Sequence, residues 1–131
     1  MTLAANTHLR TEARLVGTPD ALAPGYARCH LATRDDMVVD EHGLVHGGFA
    51  FGLADNAAML AVNDPNVVLG SAETRFLAPV KKGDVLVAEA RVTGSKGRRR
   101  SVEVVVRVGD REVVRGRFET FVLPKHVLAA R

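Results

Sequence analysis

Cysteine occurs once in this chain, at Cys29, and tryptophan not at all. A single thiol excludes an internal disulfide framework, and no histidine or cysteine cluster has zinc-ligand spacing, so no metal is expected. Aromatic residues make up only 5% of the sequence. With so few aromatic platforms and no helix-turn-helix pattern, nucleic acid is not an expected partner. Long apolar runs are missing too. The longest is broken by Asp55 and Asn56, short of a membrane span, so no membrane association is expected. The N-terminus, MTLAANTHLRTEARL, lacks the charged-then-apolar pattern of a secretory signal, which makes the cytoplasm the expected location. Charge of neither sign dominates. The net +3 suits an anionic ligand but is too small an excess to argue for a polyanion.

What the sequence does contain is an almost wholly apolar stretch from His46 to Asn63, HGGFAFGLADNAAMLAVN. It is too long for a buried strand, carries five alanines and has one β-branched residue, Val62, near its end, which predicts a helix. Asp64-Pro65 stops it. Apolar residues occupy every face, so the rest of the protein must wrap this helix. Asp55 is then at least half buried, and a carboxylate deprived of hydration costs several kcal/mol unless hydrogen bonds or function compensate (about 2–7 for an uncompensated polar group, more for a charge).

The 131 residues suffice for one substantial core, and a single domain over residues 1–131 is expected, without repeat or linker. Alternation over residues 7–16, with Leu9, Thr11, Ala13 and Leu15 on one side, predicts a half-buried strand. Gly17-Thr18-Pro19-Asp20 and Pro24-Gly25 read as punctuation, and 26–33 as a second strand with Ala27, Cys29 and Leu31 inward. Cys29 on that face is a core residue rather than a nucleophile. Residues 34–45 read as a loop leading into the helix. Beyond it, strands are expected at 67–77, 84–93, around 102–108 and at 111–123, with Gly94-Ser95-Lys96-Gly97 and Gly109-Asp110 as turns. The last strands form an antiparallel meander. One long apolar helix and a sheet that curls around it make an α+β domain.

The HGG, the LAD that places an acid nine residues after the histidine, and the strand end FLAPVKKGD occur in that order. This combination resembles the hotdog-fold acyl-CoA thioesterases, especially the phenylacetyl-CoA thioesterase-like family, over roughly residues 26–123. The resemblance implies a curved antiparallel sheet around one central helix, and a homodimer, or a dimer of dimers, with active sites at the subunit interface. It implies an acyl-CoA substrate, coenzyme A being part of the substrate and no separate cofactor being needed. In that family the amide matching Gly47 polarises the thioester carbonyl, and the acid matching Asp55 activates water or attacks directly.

The residues themselves are suited to these roles. At a helix N-terminus the backbone N–H groups lack intrahelical partners and carry the positive end of the macrodipole, and Gly47 and Gly48 let a carbonyl approach them. Gly47 and Asp55 stand about 12 Å apart at about 1.5 Å per residue, too far to bracket one carbonyl within a subunit, which fits a site shared across a dimer. His46 is read as a positioning residue beside the catalytic pair. The bland alternative for Asp55 is an ion pair with Arg75 or a cap on a neighbouring strand.

The sequence departs from the resembled family at Asp40, where many relatives carry asparagine. A charge there would oppose the oxyanion, so Asp40 either points away or carries a proton. Ser71 and Glu73 are the nearest candidates for the residue that holds the water. Asn56 could contact substrate, hold a subunit contact, or simply pack at the helix interface. The cluster Lys96, Arg98, Arg99 and Arg100 is either a solvated hairpin flank or a contact for coenzyme A phosphates. The competing function is a non-catalytic acyl-CoA or fatty-acyl-binding regulator on the same fold, with a hotdog dehydratase or hydratase in third place.

Overall fold

The computed structural model describes residues 2–129. Its elements in chain order are α1 (Ala13–Val16), β1 (Thr18–Ala23), β2 (Tyr26–Ala32), a 3-10 turn at Asp35–Met37, α2 (Gly47–Val62), β3 (Val67–Phe76), β4 (Val85–Lys96), β5 (Arg99–Val108) and β6 (Arg111–Val122). The strands form one antiparallel sheet in the order β1-β2-β4-β5-β6-β3. The sheet wraps α2, the one long helix. This is the hotdog fold, an α+β architecture.

The period-two patterning fixes which face of the sheet meets the helix. Ala27, Cys29 and Leu31 of β2, Leu86, Ala88 and Ala90 of β4, and Val102, Val104 and Val106 of β5 are all buried. Opposite them α2 buries Leu53, Ala54, Ala57, Ala58 and Ala61. Alanines on both sides of this contact let helix and sheet pack closely. Phe118 of β6 closes the core against Phe51 at 5.6 Å between ring centroids, and a ring so buried contributes about 1.5–3 kcal/mol relative to exposure. The Cys29 thiol lies inside this layer, and burial pushes its pKa up to about 12. It stays protonated and packs as a small apolar group.

The expected strand over residues 7–16 is not formed. Leu9 is 70% exposed and Leu15 40% exposed, so the alternation has no apolar surface to meet. His8 adopts φ +55° and Glu12 caps α1, both incompatible with a continuous strand. The first strand instead runs through Thr18–Ala23, the segment whose Pro19 and Asp20 read as punctuation, with a bulge between Pro19 and Ala21 absorbing the irregularity. Gly17 joins α1 to β1 at φ +101°, where a Cβ would collide with the Leu53 side chain. The β4–β5 hairpin is also longer than expected. Ser95 and Lys96 are paired with Arg100 and Arg99, and the turn proper is Gly97-Arg98.

Both edges of the sheet differ from its centre. β3 pairs on one side only, with β6, and Gly70 through Glu73 in its middle are exposed. Phe76 and Leu77 at its end are 56% and 51% exposed. An open edge with apolar ends is a surface that a second chain can cover.

Candidate active site

His46 is the N-cap of α2, with ψ 130°, and its Nδ1 accepts a hydrogen bond from the Gly48 N–H at 2.8 Å. This imidazole nitrogen satisfies one of the donors that a helix start leaves unpaired. Nδ1 is therefore occupied as an acceptor. A Cβ at residue 48 would lie 2.8 Å from His46 Nδ1, so glycine there is the condition for the cap. A Cβ on Gly47 would touch the Phe76 ring at 3.4 Å. The Gly47 N–H has no hydrogen-bond partner among the described residues. It points from the positive end of the helix with nothing to bind.

Asp55 lies two turns further along the helix. Its Oδ1 is buried and makes no hydrogen bond among the described residues. Burial pushes its carboxyl above the usual carboxylate range, and the charge on His8 pulls partly the other way. No ion pair with Arg75 forms; that residue stands in β3 opposite Arg115. A buried oxygen without a partner is costly unless a ligand uses it.

Asp40 is exposed, and its Oδ1 accepts from the N–H groups of His42 at 2.9 Å and Leu44 at 3.2 Å. It closes a turn in the loop before α2. Asn56 is buried, and its Nδ2 donates to the Val16 carbonyl at 3.3 Å, which ties α1 to α2 within the chain. Ser71 and Glu73 are exposed on the edge strand β3, opposite Glu119 and Arg117. Of the basic cluster, Arg99 pairs with Glu119 at 3.1 Å and Arg100 donates to the carbonyls of Gly97 and Arg99, while Lys96 and Arg98 are exposed. The strand register puts this hairpin beside Val67 and Val122, at the C-terminal end of α2. Gly47 and Phe76 lie at the other end. Within one chain the two groups are thus separated by the length of β5.

A residue that the sequence did not single out stands beside this site. His8, on the N-terminal segment, is near enough that a charge on its imidazole would oppose the effect of burial on Asp55. Desolvation lowers the His8 pKa, and the Asp55 carboxylate opposes that shift. No local pattern marks a lone histidine so far from the helix in sequence. Only the path of the segment along α2 brings it there.

The fold and motifs have counterparts among known proteins. A family model described as the thioesterase superfamily matches residues 42–115, which include the HGG, Asp55 and the FLAPVKKGD turn. An uncharacterized Pyrococcus horikoshii protein of known structure superimposes with a TM-score of 0.96 and 53% identity, covering 98% of each chain. The methylthioribose-1-phosphate isomerase of Aquifex aeolicus is 48% identical over 117 residues, 89% of this chain but 26% of that protein. The transcription factor FapR of Caldanaerobacter subterraneus subsp. tengcongensis is 33% identical over 97 residues, 74% of this chain and 48% of the factor. The chain thus spans a quarter to a half of these two curated relatives. With the family model covering more than half of its length, from the loop before the capped glycine pair into β6, the chain belongs to the thioesterase superfamily.

Proposed function

We propose that the protein hydrolyses an acyl-CoA thioester to a carboxylic acid and free coenzyme A, at a site built between two copies of the chain in the cytoplasm. The observation that carries this reading is the pairing, on one helix, of an unpartnered Gly47 N–H with an unpartnered buried Asp55 oxygen. One is a donor aimed where negative charge would develop. The other is an acceptor held ready for a proton or for bond formation.

In hydrolysis the thioester carbonyl rests against the Gly47 N–H, where the helix dipole favours the oxyanion. Asp55 takes a proton from water as the water oxygen attacks the carbonyl carbon. The tetrahedral intermediate then collapses, the C–S bond breaks, and the thiolate of coenzyme A takes up a proton. Direct attack by the Asp55 carboxylate is the alternative route, through an anhydride that water opens. Both routes need the acid close to the carbonyl. Since Gly47 and Asp55 stand about 12 Å apart on one helix, the pair comes from different chains of a homodimer. The exposed β3 edge is the surface on which that dimer forms, and two dimers could associate further. Coenzyme A enters as part of the substrate, with no other cofactor in either route. Ser71 and Glu73 on β3 are then near the partner's helix, where they can hold the water, and Asn56 supports the Asp55 turn from within. Asp40, tied into its turn, leaves the carbonyl unopposed.

A second reading has its own support. The likeness to transcription factor FapR joins this chain to a protein named as a regulator, and a site of this shape could hold an acyl-CoA without cleaving it. A panel of acyl-CoA esters with thiol detection separates the two. Thiol release by the native protein, absent in Asp55→Asn, supports hydrolysis. Tight binding with no release across the panel supports the regulator.

A further inference from the structure

The N-terminal segment neither joins the sheet nor leaves the molecule, and it makes one wall of a cavity of about 520 Å³ just past the end of α2. The Asn63 side chain, in the left-handed region, holds this segment twice. Its Nδ2 donates to the Ala4 carbonyl at 3.0 Å and its Oδ1 accepts from the Asn6 N–H at 2.7 Å. A second wall is the start of β3, where Asp64 Oδ1 accepts from the Asn66 N–H at 2.8 Å and the Asn66 carbonyl accepts from the Leu123 N–H at 3.3 Å. A third is the turn after β6, closed where His126 Nδ1 accepts from the Leu128 N–H at 3.0 Å. Segments distant in sequence are thus each tied down around one space, whose volume falls in the range of small-molecule sites, about 300–1,000 Å³.

The lining sorts by chemistry. Val67, which is buried, with Val68, Pro65 and Val127, gives it apolar surface. Arg10, His8 and His126 are exposed beside that surface, and no aspartate or glutamate belongs to the lining among the described residues. None of the ion pairs among those residues includes Arg10, so its charge is uncompensated. Because His126 Nδ1 is an acceptor, the neutral ring carries its proton on Nε2, which is then a donor. His8 Nδ1 is engaged at 2.9 Å by Oγ1 of the buried Thr7, which leaves its Nε2 for an outside partner. A guanidinium fork and two imidazoles beside apolar surface match an anion with an apolar body. With one fixed positive charge, the lining balances a carboxylate better than a phosphate dianion.

We infer that this cavity seats a carboxylate borne on a short apolar body, with Arg10 holding the carboxylate and Val67, Val68 and Val127 packing on the body. Such an anion has two sources. One is a free carboxylic acid. The other is the far end of a dicarboxylic acyl thioester, a source that rests on the proposed substrate and dimer. Antiparallel pairing of two β3 edges sets Phe76 of one chain, and with it Gly47, toward Val67 and Val68 of the other. The cavity then lies beside the N–H that receives the thioester carbonyl.

Calorimetric titration of the native protein with hexanoate, and with hexanamide as its neutral counterpart, tests the free acid. The affinities of adipyl-CoA and hexanoyl-CoA, equal in carbon count, are compared on Asp55→Asn, in which turnover does not obscure binding. The expected result is a preference for the carboxylate in one arm or both. In Arg10→Gln, made in each background, that preference should fall about threefold to tenfold while the neutral counterpart binds as before. Preference in the first arm alone assigns the seat to a free acid, in the second alone to the thioester, and in both to one seat that serves the two. Val127→Trp, which fills the cavity from an exposed position, should weaken both members of the preferring pair. No preference in either arm, a preference that folded Arg10→Gln retains in full, or binding that Val127→Trp leaves unaltered overturns the inference. None of these measurements requires hydrolysis. A protein that cleaves no thioester therefore loses the proposed function while the seat is still decided by binding.

Discussion

The two halves of α2 are made of similar residues and do opposite work. Its C-terminal half, Asn56 through Ala61, is buried without a break and fixes the helix to the sheet, although Asn56 Oδ1 at its start is also buried without a hydrogen bond among the described residues. Its N-terminal half begins with two exposed glycines, an unpaired N–H and a cap made by a histidine, and ends at a carboxylate with an orphaned oxygen. Glycines weaken a helix by about 1 kcal/mol each relative to alanine, and an unpartnered buried oxygen costs about as much again. One half maximises packing. The other gives up stability in places where a ligand can use the exposed donors and acceptors.

Asp55→Asn should break this contrast most strongly. Turnover should fall at least about a hundredfold, the scale of a lost general base or nucleophile. Stability should move the other way, rising at pH 7 by on the order of 1 kcal/mol, or about 3 °C in Tm, because a buried charge becomes a neutral amide. The direction with pH follows from the raised carboxyl. A group whose pKa is higher in the folded state favours folding below its unfolded value, and that contribution is lost as pH rises through the folded value. The advantage of the variant is therefore greatest near neutrality and shrinks toward about pH 4. Thermal melts across this range check it, and a variant less stable than the parent at pH 7 would contradict the account of Asp55.

The next largest effect concerns the sharing of the site. Gly47→Val places a branched side chain against the Phe76 ring and over the free N–H, so this variant should be inactive, as should Asp55→Asn. Mixed after partial denaturation and re-assembled, the two should recover activity, because a mixed dimer has one site with both native residues. Recovery is measured against each parent treated alone. Mixed dimers that form, fold and stay inactive would show that Gly47 and Asp55 do not act together across an interface.

Much of this molecule was legible from the chain. α2 was, because a long alanine-rich apolar run with a Pro stop has few other solutions. So was the β4–β6 meander, in which Val102, Val104, Val106 and Val108 recur at period two and whose turns carry glycine. The N-terminal segment was not. Residues 7–16 alternate as a strand does, but alternation decides a strand only when a partner and an apolar face are available, and here Leu9 and Leu15 face outward. The same error hid the course of this segment, which the side chain of Asn63 holds at Ala4 and Asn6, and nothing near those residues in sequence encodes that. Asn56, for which the sequence left substrate contact, subunit contact and helix packing open, donates from Nδ2 to the Val16 carbonyl and so ties α1 to α2.

Gly48→Ala sharpens the comparison at the start of the helix. The added methyl would sit 2.8 Å from His46 Nδ1, so the ring must leave its cap. Loss of an N-cap costs about 0.5–2 kcal/mol, partly offset by the better helix propensity of alanine. Net destabilisation should thus be below about 1 kcal/mol. Activity should suffer more, by about tenfold in kcat, because the Gly47 N–H loses its fixed direction. A variant that keeps full kcat would separate His46 from the site.

The smallest effect is expected at the hairpin. Lys96 and Arg98 are exposed and lack the acidic partner that occupies Arg99, so they are the two cations of the cluster left to meet an outside anion. In a single chain they lie at the far end of the sheet from Gly47, and an antiparallel dimer along β3 would carry a partner's hairpin toward the near end. Lys96→Ala with Arg98→Ala should therefore raise KM for a coenzyme A ester about threefold at low salt, with kcat and Tm unaltered, as exposed charge contacts are weak. Because the Debye length falls from about 30 Å at 0.01 M to about 8 Å at 0.15 M, the difference between native and variant should fade as salt rises. A pantetheine ester of the same acyl group, which has no nucleotide phosphates, should show neither the rise nor the salt dependence. An identical KM for both substrates in native protein and variant would leave Lys96 and Arg98 as a solvated flank.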